Sequence, residues 1–382
     1  MPRPRNVRPS LLVVALGLCC AVASHAAAAV IVDDPGQGLL PISGQSAGSL
    51  SGLTFAGGTS FYAVSDKNAQ LFDLTIQVNP ATGTIDAASI DAVRTLVDGA
   101  DLEDVEFDPS DGRILVADEQ DTDNVGPAIR RHNLADGTVA ATVALPSVLD
   151  NIRANLALEA LALAPDGRLW TANEEALNGD GPAASAAVGS AVRLVEFNAA
   201  GNATGQWAYV TDPYQGENAT IGSTAASGLV DLLALADGSV LALERALGGS
   251  GFLPYFRSRI YLVDFAGATD VSGLPQLDTN GNASVADEAW TAVSKTLLWE
   301  QTFSFTNFES LTLGPTLADG RQSLLLVSDD GAPLNTQSLY ALTLEATPVP
   351  EPSTWLLAIV GGALLLAATG HRVLRGQRVV RS

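Results

Sequence analysis

Acidic residues stand at the same two phases of a pattern that recurs along the chain. Glu103, Glu159 and Glu309 open short apolar runs, and Asp66, Asp118, Glu119, Glu174, Glu175, Glu244, Asp329 and Asp330 close the runs that follow. Carboxylates gathered from separate repeats repel one another unless some keep their protons or a cation lies among them. A hard divalent ion with about six to eight oxygen ligands, Ca2+ first, suits such a set. The pattern nominates Asp66, Glu103, Asp118, Glu174, Glu244 and Asp329 as metal ligands. Glu159, Glu309 and Asp330 are the candidates for catalysis, each as ligand or as general base toward an ion-activated water. Near the same run ends lie Lys67, Arg245, Arg257 and Arg259, candidates for holding an anionic substrate, with a surface ion pair as the other use for each.

What is scarce narrows the chemistry further. His25 and His371 fall in terminal segments that read as targeting signals, which leaves His132 for the domain between them. A single histidine disfavours a His-ligated zinc site, a histidine phosphatase and a Ser-His-Asp arrangement. Cys19 and Cys20 lie in the N-terminal segment, so its removal takes disulfides and thiolate chemistry with it. Gly44-Gln45-Ser46-Ala47-Gly48 matches a nucleophile elbow, but a β repeat follows where a helix is needed, and a flexible turn is the simpler account. Asp278-Thr279-Asn280-Gly281-Asn282 has the look of a calcium loop. Its glycine stands at the fourth place and Ala289 at the twelfth, so it reads as an Asn-Gly turn.

The elements that must hold these residues are strands. Ser51–Lys67, Glu103–Glu119, Glu159–Glu175, Ser227–Arg245 and Glu309–Asp330 each read as strand, tight turn and strand, and an outer strand follows each: 69–77, 127–134, 190–198, 258–265 and 337–345. Repeated units of this kind predict an all-β fold, a β-propeller, in which equivalent strand ends meet at one mouth of a central channel. Irregular spacing suggests a further, degenerate blade, for which Leu253–Phe265 and Lys295–Phe305 are the candidate strands. Six blades are expected, with five or seven as alternatives. The segments 176–191 and 269–287, rich in Gly, Ala, Asn and Asp, read as exposed inserts.

Both ends read as addresses. Arg3, Arg5 and Arg8, the apolar Leu11–Leu18 and the Ala-rich 21–29 predict a signal peptide over residues 1–29, with a buried N-terminal helix as the alternative. At the other end an apolar stretch over 355–369 is expected to form a transmembrane helix, short against the roughly 20 residues of a permanent span. Arg372, Arg375, Arg378 and Arg381 would hold the tail on the cytoplasmic side. Pro350-Glu351-Pro352, the apolar helix and the terminal arginines together resemble the PEP-CTERM sorting signal of Gram-negative bacteria. That resemblance implies an exosortase as processing partner and delivery to the cell envelope, surface or surroundings; an ordinary membrane anchor has the same topology. The chain thus divides into 1–29, a domain over 30–346, and the sorting segment 347–382. Its formal charge is −22, and seven of its 20 basic residues sit in the terminal segments, so the domain between them is more acidic still. Such a domain repels nucleic acid and anionic membrane and suits a divalent cation, with a small anionic ester or a matrix component as ligand.

Leu158-Glu159-Ala160-Leu161, Asp231-Leu232-Leu233 with Leu243-Glu244-Arg245, Arg259-Ile260-Tyr261-Leu262-Val263-Asp264, and Asn307-Phe308-Glu309-Ser310-Leu311 with Val327-Ser328-Asp329-Asp330 resemble the phytase-like family described as having esterase-like activity. The likeness runs over about residues 45–345. It implies a propeller related in shape to the calcium-dependent propeller phytases, and hydrolysis of phosphate or carboxylic esters. Ser310 stands where that family usually has Gly. A non-catalytic, Ca2+-stabilised binding or matrix propeller is the alternative function.

Overall fold

The computed structural model describes residues 29–45, 49–99, 101–119, 127–153, 156–185, 187–213, 227–250, 253–282, 284–329 and 337–347. The expected signal peptide up to Ala28, Ser46, Asp330, the Pro350-Glu351-Pro352 motif and the helix expected at 355–369 lie outside the described residues. Among the described residues no helix is long and apolar enough to cross a membrane.

Strands follow one another almost without interruption. They are β1 (Ala29–Asp33), β2 (Leu40–Pro41), β3 (Ser43–Gly44), β4 (Leu53–Gly57), β5 (Ser60–Ser65), β6 (Asn68–Val78), β7 (Ile85–Thr95), β8 (Leu102–Asp108), β9 (Arg113–Asp118), β10 (Ala128–Asn133) and β11 (Val139–Val143). Then come β12 (Leu158–Leu163), β13 (Leu169–Asn173), β14 (Ala191–Phe197), β15 (Ala203–Val210), β16 (Ser227–Ala234), β17 (Val240–Ser250), β18 (Leu253–Asp264), β19 (Ser294–Ser304), β20 (Asn307–Thr316), β21 (Gln322–Asp329) and β22 (Ser338–Thr347). They form five sheets, each with four antiparallel strands ordered β4-β5-β6-β7, β8-β9-β10-β11, β12-β13-β14-β15, β16-β17-β18-β19 and β20-β21-β22-β1; the short β3 adds to β7 in parallel and β2 pairs with β22. The inner strands β4, β8, β12, β16 and β20 lie each against the next, and β20 lies against β4, so the ring closes. The fold is a five-bladed β-propeller.

This corrects the expected six blades. Leu253–Phe265 and Lys295–Phe305 are no separate blade; as β18 and β19 they are the outer half of the fourth. The long connection between them, residues 265–293, stretches the spacing and imitates a missing repeat. The inner two strands of a blade are buried on both faces, β13 and β16 throughout, and this is why they read as continuous apolar runs rather than an alternation. In β21, Leu324 and Leu326 pack toward the fourth blade with Phe308, Leu243 and Trp299, while Leu325 and Val327 pack toward the first with Phe61 and Phe72. Three further apolar layers fill the remaining gaps between neighbouring blades.

The N-terminal strand closes the ring. β1 is the outermost strand of the last blade, with Ala29 opposite Thr347 and Asp33 opposite Thr343. A strand from one end of the domain thereby joins a blade built from the other end, and opening the ring requires breaking that pairing.

The two inserts are not loose: much of 269–287 is exposed, as expected, but both inserts are pinned by buried anchors. Arg193 and Asp180, both fully buried, bond through Nε and Nη2 to the two carboxylate oxygens at 2.6 and 2.9 Å. The same guanidinium donates to the Val271 and Leu274 carbonyls, and Asp180 accepts from Leu277 N at 2.7 Å. Val271, Leu277 and Trp290 bury themselves against Ala191 and Ala208 of the third blade. The connection between β18 and β19 is thus a strap drawn over the outer edge of the third blade, where Val271 N and Val293 N donate to Gln206 O and Ala208 O of β15.

Candidate functional site

The site is built by a defect repeated in the inner strands. In β8, β12, β16 and β20 the pairing with the second strand slips by one residue, between Leu102 and Asp104, Leu158 and Ala160, Leu229 and Asp231, and Phe308 and Ser310. The skipped residues are Glu103, Glu159, Val230 and Glu309. A bulge leaves its extra residue out of the ladder and re-aims the side chain, so three of the four carry a carboxylate to the start of an inner strand beside the axis.

Those three meet the acids that end the second strands. Burial holds Glu103 well above the ordinary carboxylate range, and the charges of Glu309, Glu119, Asp101 and Asp66 push the same way. Glu159 is raised likewise, by burial first and then by Glu103, Glu174, Glu119 and Glu309. Burial brings Glu309 up to about 7 against the pull of Arg245, with Asp329, Glu174 and Asp66 adding to the rise. Glu119 also rises to about 7, mainly by burial. These groups sense one another as a single cluster drawn from blades one, two, three and five.

Within the cluster one arc is free to take a cation. Carboxylate oxygens of Asp101, Glu103 and Glu119 all lie within 4.8 Å of one another. Asp66 Oδ1 and Asp329 Oδ1 are buried without a hydrogen-bond partner, an arrangement that costs a carboxylate its solvation with no return. Asp66 is raised by burial, restrained by its pair with the exposed Lys67, and raised again by Asp329. The donor set is all oxygen, anionic and partly unsatisfied, which fits Ca2+.

The opposite arc is filled by the chain itself. Arg245 of β17 bonds to Glu174 of the third blade and to Glu309 Oε1 of the fifth at 2.9 Å, with Asn307 Oδ1 at 3.3 Å. Burial works against its charge, but Glu174, Glu309 and Glu159 keep the guanidinium protonated. Its amino groups are spoken for, so Arg245 serves the ring rather than presenting a free fork to a substrate.

Other nominated residues lie elsewhere. Glu244 accepts from Tyr209 Oη at 2.6 Å and Asp212 N at 2.9 Å and pairs with Lys295, whose Nζ stands 4.9 and 4.3 Å from the ring centroids of Tyr209 and Tyr261. It belongs to a saturated polar cluster between the third and fourth blades, not to the ring of acids. Asp118 borders the cluster, accepting from Asp101 N at 3.3 Å, but Arg130 holds its other oxygen. Arg259 pairs with Glu300 of β19 at 2.7 Å, and Arg257 stands two residues earlier in β18, opposite Ala246 of β17. Asp330, nominated for catalysis, lies outside the described residues.

Beneath the mouth is a second acidic layer that the repeat pattern did not reveal. Asp104 from the second blade and Asp231 from the fourth share a hydrogen bond, although β8 and β16 are not neighbours in the ring. Burial, then the charge of Asp231, drives Asp104 well above the carboxylate range; burial brings Asp231 to about 7 and Glu106 to about 8. Their oxygens also complete the ladder where inner strands have no partner strand on the channel side. Leu161 N donates to Asp104 Oδ2 at 2.7 Å, Leu163 N to Glu106 Oε1 at 3.1 Å, Leu311 N to Asp231 Oδ2 at 2.6 Å, and Phe107 N to Thr54 Oγ1 at 3.0 Å. Ser310, the departure from the expected Gly, takes part: its Oγ accepts from Leu53 N at 3.0 Å and ties the fifth blade to the first. The signal for this layer was the second acid in Glu103-Asp104, which a bulge can turn to the same side as the first.

A family model described as "Phytase-like: Esterase-like activity of phytase" matches residues 45–332. No curated protein matches the chain in sequence. Among solved structures, the endo-arabinase from Bacteroides thetaiotaomicron is 10% identical with a TM-score of 0.39, covering 81% of this chain and 98% of that one. A subtype N11 neuraminidase-like protein of A/flat-faced bat/Peru/033/2010 (H18N11) is 11% identical with a TM-score of 0.37, covering 81% and 91%. Virginiamycin B lyase from Staphylococcus aureus is 11% identical with a TM-score of 0.31, covering 84% and 100%.

Proposed function

The chain belongs to the phytase-like family, and from that premise we propose that it is an exported hydrolase of phosphate or carboxylic esters working at the acidic mouth of its propeller. Asp66, Asp101, Glu103, Glu119 and Asp329 are the residues that would hold Ca2+. The ion would neutralise an anionic ester and make a bound water more acidic. The observation that carries this reading is the convergence of carboxylates from separate blades on one buried mouth, two of them with an unpartnered oxygen.

The chain's own groups supply the proton chemistry. Glu309, held near 7 by burial, exchanges its proton at neutral pH, as a general base or acid must. Glu159, raised well above the carboxylate range by burial and by its acidic neighbours Glu103 and Glu174, suits delivery of a proton to a leaving oxygen. Arg245 fixes Glu309 in place through the 2.9 Å bond and limits its rise. Export rests on the terminal segments, whose composition fits removal of residues 1–29 and exosortase processing at the Pro350-Glu351-Pro352 motif.

The second reading, a non-catalytic Ca2+-stabilised binding or matrix propeller, is favoured by one observation. Arg245 is already paired with two carboxylates and Lys67 with Asp66, so the mouth offers little free positive charge to a dense polyanion. The test is release of phosphate from a monoester and of a chromophore from an acyl ester, each with Ca2+ and with chelator. Turnover that disappears with the chelator supports the hydrolase. Absence of turnover on both esters, with Ca2+ bound, leaves the binding propeller.

A further inference from the structure

The ring of acids is electrostatically divided. On one side Glu159, Glu174 and Glu309 surround Arg245, a cation anchored in the fourth blade that spans to the third and the fifth. On the other side Asp66, Asp101, Glu103, Glu119 and Asp329 share only Lys67 among the contacts described above, and its side chain is 63% exposed. Two features mark the Arg245 side as a place that needs a cation. Three carboxylates from two blades act on one guanidinium, and Arg245 Nε is buried without a hydrogen-bond partner, so the group is held for its charge and not for a full set of bonds.

A guanidinium and a divalent ion answer the same electrostatic demand differently. Arg stays charged at every physiological pH and is delivered by folding, at no cost in free ligand. It spreads a single charge over a plane, so it neutralises less and does not activate water as a metal does. We infer that Arg245 stands in for a second divalent cation: the chain fills one half of its acidic ring with its own side chain and leaves the Asp101–Glu103–Glu119 half for an ion from solution. This rests on the cation-binding reading above. It adds that the number of ions taken up is set by Arg245, and that blades three to five are held together at the mouth without Ca2+.

The experiment is the number of Ca2+ bound per chain at about pH 8, by equilibrium dialysis, for the parent protein, Arg245→Met and Arg245→Lys. Methionine keeps much of the volume and removes the charge; lysine keeps the charge. Arg245→Met is expected to bind one Ca2+ more than the parent, and Arg245→Lys the same number. Equal uptake by the parent and a folded Arg245→Met overturns the inference while leaving the proposed function in place. A parent that binds no Ca2+ overturns the cation reading of the proposed function and this inference with it. Should Arg245→Met fail to fold in chelator, its circular dichroism is followed as Ca2+ is added. Recovery of the β signal supports the replacement, and a chain that stays unfolded in millimolar Ca2+ overturns it.

Discussion

Replacing Glu106 by Gln is expected to stabilise the cation-free protein in alkali and to do little for it in acid. Glu106 lies in the deep layer, where burial lifts its carboxyl from 4.5 to about 8 although Leu163 N and Thr54 Oγ1 both favour the anion. A carboxyl raised in the folded state contributes fully below about pH 4.5, where both states hold the proton. From there the unfolded chain ionises and the folded one does not, so stability falls until the pH has passed about 8. The interval is worth at most about 5 kcal/mol at 1.36 kcal/mol per pH unit, and the effective dielectric around even a buried carboxyl reduces it, so a loss of about 2–3 kcal/mol is expected. Gln has no proton to lose and avoids that loss. It keeps an acceptor for Leu163 N but turns an amide toward Thr54 Oγ1, which already accepts from Phe107 N, at a pH-independent cost of about 1 kcal/mol. Urea denaturation in chelator at about pH 5 and about pH 9 measures both effects. The variant should be level with or slightly below the parent in acid and clearly above it in alkali. A difference between the two proteins that is the same at both pH values refutes the argument.

Three other outcomes follow from the same geometry. Ca2+ should raise the melting temperature more at about pH 8 than at about pH 5, because Glu103 and Glu119 are raised and the ion must displace their protons in acid; Asp101→Asn with Glu103→Gln should abolish the Ca2+ effect in the same melts. Asp180→Ala strands the fully buried Arg193, and a loss of about 3–5 kcal/mol in urea denaturation is expected, with new protease cleavage within residues 266–293. Gly52→Ala puts a methyl 2.6 Å from Asp104 Cα, so the first and second blades must separate locally, and a loss of about 1–3 kcal/mol is expected by the same denaturation.

Much of this was legible because each blade repeats one local rule. The five acid-punctuated repeats correspond one for one to the inner pairs β4-β5, β8-β9, β12-β13, β16-β17 and β20-β21. The sixth blade was suggested by distance alone. A strap held by Arg193 and Asp180 looks in sequence like surplus Gly, Ala and Asp, since that ion pair lies within the third blade and reaches the strap only through backbone groups of Val271, Leu274 and Leu277, far along the chain. Glu244 and Asp118 show the limit of arguing from phase. Asp118 ends its second strand and Glu244 falls at the matching phase inside β17, which runs on to Ser250, yet Arg130 and Lys295, from strands further out in their blades, claim them. Asp101 escapes the repeat pattern because it precedes its strand, which starts at Leu102, and the ladder does not set its direction.

The bulges explain why one ring of strands carries two layers of acid. In a regular strand successive side chains alternate between faces, so Glu103 and Asp104 would point apart. With Glu103 out of the ladder, Asp104 resumes the pairing one step later, opposite Ala117, and reaches Asp231 across the axis while Glu103 stays at the mouth with Asp101 and Glu119. The fourth blade has the same slip with Val230 as the extra residue, and it supplies Asp231 below but no acid above. Its contribution to the mouth is Arg245 from the neighbouring strand. The blade that lacks the acid is the blade that brings the cation, and the asymmetry of the ring traces to the residue that occupies the bulge.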